Sequence, residues 1–127
     1  MAAHKLDGAG TAKLKTLEEA RQQLQTVHAK VELYGMEVKK NGNPGVILMQ
    51  VKRLLPLLVG FLKPQFGLIA DQASAVYLAA GRGGSDQVRL RALREGVATL
   101  RQSIDIAAKR VEEQHKVVDE KPEPTGG

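Results

Sequence analysis

Several residue types that build active sites and β-sheet cores are absent or scarce in this sequence. Its 127 residues include no cysteine, which excludes disulfides, thiolate metal sites and cysteine nucleophiles. Aromatic residues make up only 3%, so the core must come from Leu, Val, Ile and Ala, as in packed helices. The three histidines lie far apart in the sequence, which argues against a zinc site. We therefore expect one domain with no metal, no cofactor and no catalytic residue.

Basic residues outnumber acidic ones by 19 to 14, giving a net charge of +5 and a pI of about 9.6. This balance favours polyanionic partners, nucleic acid first and an anionic membrane second. The N-terminus has no apolar run typical of a signal peptide, so a cytoplasmic location is expected. The longest uncharged apolar stretch, residues 54–62, is shorter than the roughly 20 residues of a spanning helix. No membrane-spanning segment is predicted.

Apolar residues recur at intervals of three and four along most of the chain, which indicates amphipathic helices. The spacing predicts helices over residues 11–40, 46–62, 64–80 and 86–118, with a turn at residues 81–84 and Ser85 as the N-cap of the last helix, and no strand. Residues 1–10 and 119–127 have the glycine, proline and charge of disordered tails. The predicted fold is all-α, an antiparallel helical bundle over residues 11–118. It has four helices, or three if the middle pair is continuous.

The second predicted helix is apolar on nearly every side. Such a helix is either central in its bundle or shared with another subunit. Pro56 is expected to kink it, because the ring removes a backbone hydrogen bond and clashes with the preceding turn. We predict a protein interface, within a homo-oligomer or with another protein, formed by Leu54, Leu57, Leu58 and Phe61.

Arginine is concentrated in residues 82–110, where seven basic residues face three acidic ones. Guanidinium groups bind phosphate in a two-bond geometry. The predicted nucleic-acid-binding residues are Arg91, Arg94, Arg101 and Lys109, within about a quarter turn opposite the apolar stripe, together with Arg82 and Arg89. The alternative is a solvated helix face with intrahelical ion pairs, such as Arg91 with Glu95 and Arg101 with Asp105.

Two histidines fall within predicted apolar stripes, His28 in the first helix and His115 in the fourth. Histidines that face inward can act as general acid and base, although neutral, hydrogen-bonded histidines at a core edge are more common. The spacings from Arg110 to His115 and from Arg21 to His28 also match those of a helical ribonuclease class. We expect no enzyme activity, with such a ribonuclease as the alternative.

A resemblance covers residues 64–108, through four short motifs: Phe66-Gly67-Leu68-Ile69, Val76-Tyr77 leading to Ala80-Gly81-Arg82, Ser85-Asp86-Gln87-Val88, and Leu93-Arg94 with Leu100-Arg101. This region resembles the four-helix-bundle family of 23S rRNA intervening-sequence proteins and accessory variability (Avd) proteins of diversity-generating retroelements. The resemblance implies a basic helical protomer, pentameric in the Avd branch, that binds a reverse transcriptase and nucleic acid. The chain departs from the family because its long helix precedes the matching region and no full helix follows it. The second motif is also similar to the helical small subunit of type III CRISPR complexes.

The sequence therefore predicts a non-enzymatic, oligomeric protein that binds nucleic acid without sequence specificity, or that is an accessory to a ribonucleoprotein. The phosphate backbone is the expected contact. The alternative is a protein-interaction adaptor or self-assembling scaffold in which the charges only confer solubility. A lesser possibility is association with a membrane surface through residues 46–70.

Overall fold

Four helices form an antiparallel bundle in the computed structural model, which describes residues 5–117. The helices are α1 Gly8–Lys39, α2 Pro44–Leu62, α3 Gly67–Gly81 and α4 Asp86–Gln114. Each packs against the next along the chain, and α4 closes the bundle against α1. The predicted all-α bundle is confirmed in its four-helix form, because α2 and α3 are separate helices. Residues 1–4 and 118–127, where predicted tails lie, are outside the described residues.

The apolar stripes predicted from the sequence form the core. Leu17, Leu24 and Val31 of α1 are at most 1% exposed, as are Leu93 and Leu100 of α4. Complete burial of such side chains stabilises a fold by about 1.5–3 kcal/mol each. The described core also includes α2 and α3 residues, among them Val51, Leu55, Leu58, Leu62, Ala70, Ala73 and Ala80.

Residues 5–10, predicted as part of a tail, belong to the fold. Asp7 caps α1, since its Oδ1 accepts a hydrogen bond from the Gly10 backbone N–H at 2.6 Å. The segment Lys5–Leu6 forms a two-residue antiparallel ladder with Lys116–Val117. Two residues are too short to show the alternation that predicts a strand, and the helix was placed too late because its first residues include two glycines.

The other helix ends differ from the prediction by a few residues. The helix α3 begins at Gly67 rather than Pro64, and α4 ends at Gln114 rather than at residue 118. The turn after α1 places Asn41 at φ 55°, the left-handed conformation expected of an Asn just past a helix end. The helix α2 continues through Pro56, which is exposed, and the kink stays a prediction.

Among the described residues, α2 is the one helix long and apolar enough to cross a membrane, with a mean hydropathy of 1.7. Of the 18-residue stretch of α2 that gives this hydropathy, 22% is buried inside the bundle. Lys52 and Arg53 lie near the middle of α2. Length and composition alone are weak evidence for spanning, because core helices can have the same composition. The absence of a spanning segment stays a prediction.

Candidate functional site

Arg89, predicted to bind phosphate, is instead used to hold the loop between α3 and α4. Its side chain is only 13% exposed and forms an ion pair with Asp86 at 2.9 Å. Its Nη2 donates to the carbonyl oxygen of Arg82 at 2.7 Å, and its Nη1 donates to the hydroxyl of Tyr34 at 3.2 Å. A guanidinium with these internal acceptors has few donors left for a phosphate. The prediction for Arg89 is therefore corrected.

Arg94 is paired with an acidic residue of α1. Its Nε and Nη2 donate to the two carboxylate oxygens of Glu32 at 3.0 and 2.9 Å. This two-bond contact holds the pKa of the Glu32 carboxyl below its ordinary value of 4.5. A phosphate would have to displace Glu32 before it could bind Arg94 in the same geometry.

The predicted intrahelical pair between Arg101 and Asp105 is replaced by an interhelical one. Asp105 accepts a hydrogen bond from Arg21 of α1 at 2.8 Å, and Arg21 also contacts Glu18 at 2.7 Å. Arg101 itself is half-buried. On α4, Arg101 and Asp105 flank the apolar stripe on the side of α1 rather than lying opposite to the stripe. Long side chains from both helices therefore meet in the same groove.

Three predicted cations remain exposed without an ion pair among the described residues: Arg82, Arg91 and Lys109. Arg91 and Lys109 are about 27 Å apart along α4 at the rise of an α-helix. Lys109 shares a groove with Glu112. The α4 cations are thus separated and interspersed with acids, and their binding of phosphate stays a prediction.

The predicted apolar interface on α2 is wrong for one of its four residues. Leu58 is fully buried and shares a core stripe with Leu55 and Leu62, so it cannot contact a partner. Leu54 and Phe61 are half-buried against that core. Leu57 alone of the four is largely exposed, at 67%.

The exposed side of α2 is both apolar and basic, and it will be called the α2 outer face. Its members are Val46, Met49, Lys52, Arg53, Leu57 and Lys63. The apolar members are 49%, 55% and 67% exposed, in chain order. The basic members are also exposed and have no ion pair among the described residues. Val46 and Met49 could not be assigned to this face from the sequence, because only the packing shows which side of an almost wholly apolar helix faces outward.

The excess positive charge of the whole chain lies around this helix. Residues 38–70 contain five basic residues and no acidic one, while the remainder has 14 of each. One of the five, Lys40, pairs with Glu37 at 2.9 Å. The other four have no ion pair among the described residues. The net charge of +5 is therefore a local property of α2 and its flanking turns.

The two histidines proposed as an acid–base pair are far apart. His115 lies beside the first turns of α1, with its Nδ1 3.2 Å from an Asp7 carboxylate oxygen and its Nε2 3.2 Å from the Lys13 ammonium. A ring that donates from Nδ1 and accepts at Nε2 satisfies both contacts. His28 is about 20–30 Å farther along α1, at 1.5 Å per residue, so the two cannot act on one substrate atom.

Within residues 5–117, no group of three or more acidic or histidine side chains is placed to hold a metal ion. Comparisons with models of protein families, with curated proteins and with solved structures found no match for this chain. The resemblance of residues 64–108 to the Avd family stays a prediction.

Proposed function

We propose that this protein is a non-enzymatic helical bundle that attaches to an anionic membrane surface through the α2 outer face. The observation that carries the proposal is that three exposed cations without an ion pair among the described residues lie on the same face of α2 and its C-terminal end as exposed apolar side chains. Polyanion binding was expected from the sequence, with the basic residues of α4 as the contact surface. We propose the α2 outer face as the contact surface instead.

Charge favours α2 because its cations have no competing acids. An anionic membrane surface attracts each nearby Lys or Arg by about 1 kcal/mol. Lys52, Arg53 and Lys63 together would then contribute about 3 kcal/mol, a factor of roughly a hundred in partitioning. On α4, by contrast, binding a phosphate at Arg94 would first break its contact with Glu32.

The apolar side chains favour a membrane over nucleic acid. Leu57 and Met49 are more than half exposed, and they lie on the same face of the helix as the cations. Such side chains gain free energy by entering the boundary between headgroups and acyl chains. A phosphate backbone offers them no comparable apolar environment, and no aromatic side chain lies among the members of this face for base stacking.

Flotation with lipid vesicles tests this proposal. The full chain is mixed with phosphatidylcholine vesicles that contain, or lack, about one third phosphatidylglycerol. We expect binding to the anionic vesicles, weakened by salt and reduced about a hundredfold when Lys52, Arg53 and Lys63 are all changed to Gln. Changing Met49 and Leu57 to Gln should also weaken binding while leaving its salt dependence in place.

A matched control removes the same number of charges from the other side of the protein. Changing Arg82, Arg91 and Lys109 to Gln should leave vesicle binding within a factor of a few of wild type, since these residues lie off the α2 outer face. Equal loss in both triple variants would overturn the proposal, because only net charge would then matter. Failure to bind anionic vesicles at low salt would overturn it as well.

Nucleic-acid binding is the second candidate, favoured by the exposed and unpaired state of Arg82, Arg91 and Lys109. Fluorescence anisotropy with labelled duplex DNA and structured RNA, across a salt series, tests it with the same variants. Affinity that falls steeply with salt and is lost when Arg82, Arg91 and Lys109 are changed to Gln, without vesicle binding, would support this function over the first. Binding lost only when Lys52, Arg53 and Lys63 are changed to Gln would place nucleic acid on the α2 outer face.

A further inference from the structure

A groove runs along the outside of the bundle between α3 and α4, away from the α2 outer face. One part of it, about 310 Å³, is lined mainly by small residues: Ala75, Ala79, Ala92, Gly96 and Thr99. The adjoining part, about 460 Å³, contains Leu68 and Ile106. Gln72 lines both parts, so the two parts adjoin at this residue.

Large and small side chains are segregated along this groove. Leu68 is 82% exposed and Ile106 is 48% exposed, both in the part of the groove that Lys13 and Gln114 also line. The small residues occupy the other part, where the helices approach so closely that a Cβ on Gly96 would lie 2.5 Å from a Val76 methyl. One part of the groove therefore projects apolar side chains and the other is shaped to accept them.

Charge is segregated in the same direction. The part with the large residues is lined by two cations, Lys13 and Arg110, and by no acid. The part with the small residues is lined by one charged side chain, that of Glu95. Glu95 and Arg110 lie on the same helix, 15 residues apart in sequence, which is about 22 Å.

We propose that a second copy of this chain occupies the groove, related by a two-fold axis that crosses α3 and α4 near Gln72 and Ser103. Such an axis reverses the helix direction, so that Leu68 and Ile106 of each copy meet the small residues of the other. It also brings Arg110 of each copy to Glu95 of the other. Shape and charge are therefore complementary in the same arrangement, as a closed two-fold interface requires.

The available area sets the expected strength. The groove face is about 30 Å long when the side chains at its two ends are included. It is two helices wide, which is about 20 Å. This gives roughly 600 Å² per copy, at the low end for a specific interface. A reversible dimer with a micromolar dissociation constant is expected, and it does not depend on the membrane proposal.

Sedimentation velocity of the full chain, from about 10 to about 500 µM, measures this equilibrium. We expect a monomer–dimer transition whose dissociation constant rises at least tenfold in Glu95→Arg and in Arg110→Glu. Each single variant places two like-charged contacts in the interface. The double variant, with both charges exchanged, should recover affinity close to wild type. Because the two residues are about 22 Å apart in one copy, only contact between copies explains such recovery.

Two controls separate this interface from others. Glu19→Arg makes the same change of charge on the exposed side of α1 and should leave dimerisation unchanged. Leu68→Gln should weaken the dimer, whereas Leu57→Gln on the α2 outer face should not. A chain that stays monomeric to about 500 µM, or a dimer insensitive to both single charge reversals, would overturn the proposal. So would single variants that weaken the dimer without recovery in the double variant.

Discussion

The close approach of α3 and α4 at Gly96 makes a quantitative prediction about stability. A Cβ added at Gly96 would lie 2.5 Å from Cγ2 of Val76 and 3.2 Å from its Cγ1. Val76 is 5% exposed and β-branched, so its χ1 has little freedom to rotate away. In Gly96→Ala the two helices must separate, or Val76 must leave its preferred rotamer.

The magnitude follows from two opposing effects. Replacing glycine by alanine inside a helix stabilises it by about 1 kcal/mol, and overpacking a well-packed core costs about 1–3 kcal/mol. Gly96→Ala should therefore change the free energy of unfolding by between about 0 and −2 kcal/mol. Gly60→Ala is the matched control, because nothing lies within 4 Å of its added Cβ. Gly60→Ala should raise the free energy of unfolding by up to about 1 kcal/mol.

Urea unfolding followed by circular dichroism measures both changes. The substitution Val76→Ala removes the methyl groups that the new Cβ meets. In the Val76→Ala protein, Gly96→Ala should therefore raise the free energy of unfolding by about 1 kcal/mol. The coupling energy in this double-mutant cycle should then be about 1–3 kcal/mol. If Gly96→Ala stabilises the wild-type chain as much as Gly60→Ala does, the helices are not in the contact described, and the reasoning is refuted.

Three further outcomes are expected. Tyr34→Phe removes the hydroxyl that donates to Asp86 and should lower the free energy of unfolding by about 1–2 kcal/mol in urea unfolding; no change would mean that water replaces the contact. Glu32→Gln should cost less than about 1 kcal/mol by the same assay, since Glu32 and Arg94 are 41% and 50% exposed; a larger loss would contradict a surface ion pair. The Gly10 N–H bonded to Asp7 and the Arg94 guanidinium beside Glu32 lower the pKa of these carboxyls from 3.8 and 4.5. Their contribution is complete above those values and is lost as pH falls below them. The midpoint of thermal unfolding should therefore fall as the pH drops below about 4.5 and shift less in the Asp7→Asn, Glu32→Gln double variant.

The core could be predicted from the sequence because it depends on spacing alone. Leu17, Leu24 and Val31 recur at sevens, and any helix through them must place all three on one face. The antiparallel order follows from the short turns at 40–43 and 82–85. The spacing of apolar residues does not show which helix packs beside which. That neighbour decides the partners of the side chains at the edges of the apolar stripe.

The candidate site was harder to predict for that reason. A guanidinium at the edge of a stripe can pair within its own helix or across to the next, and its reach covers both. Arg94 and Arg89 were therefore predicted to bind nucleic acid, although Arg94 binds Glu32 and Arg89 holds the loop between α3 and α4. The outward side of α2 was likewise hidden, because nearly all of its residues are apolar and only packing distinguishes Leu57 from Leu58.

The two-residue ladder has a consequence for how the chain can be rearranged. Pairing of Lys5 with Val117 brings the ends of the described chain within about 5 Å. A circular permutant that joins residue 127 to residue 1 and opens at Gly83, at the far end of the bundle, therefore needs no added linker. In that permutant α4 and α1 become consecutive helices, so their contacts become more local in sequence, and the contacts between α3 and α4 become the most distant. Comparing its folding rate with that of the natural chain would show whether closure of α4 onto α1 limits the speed of assembly.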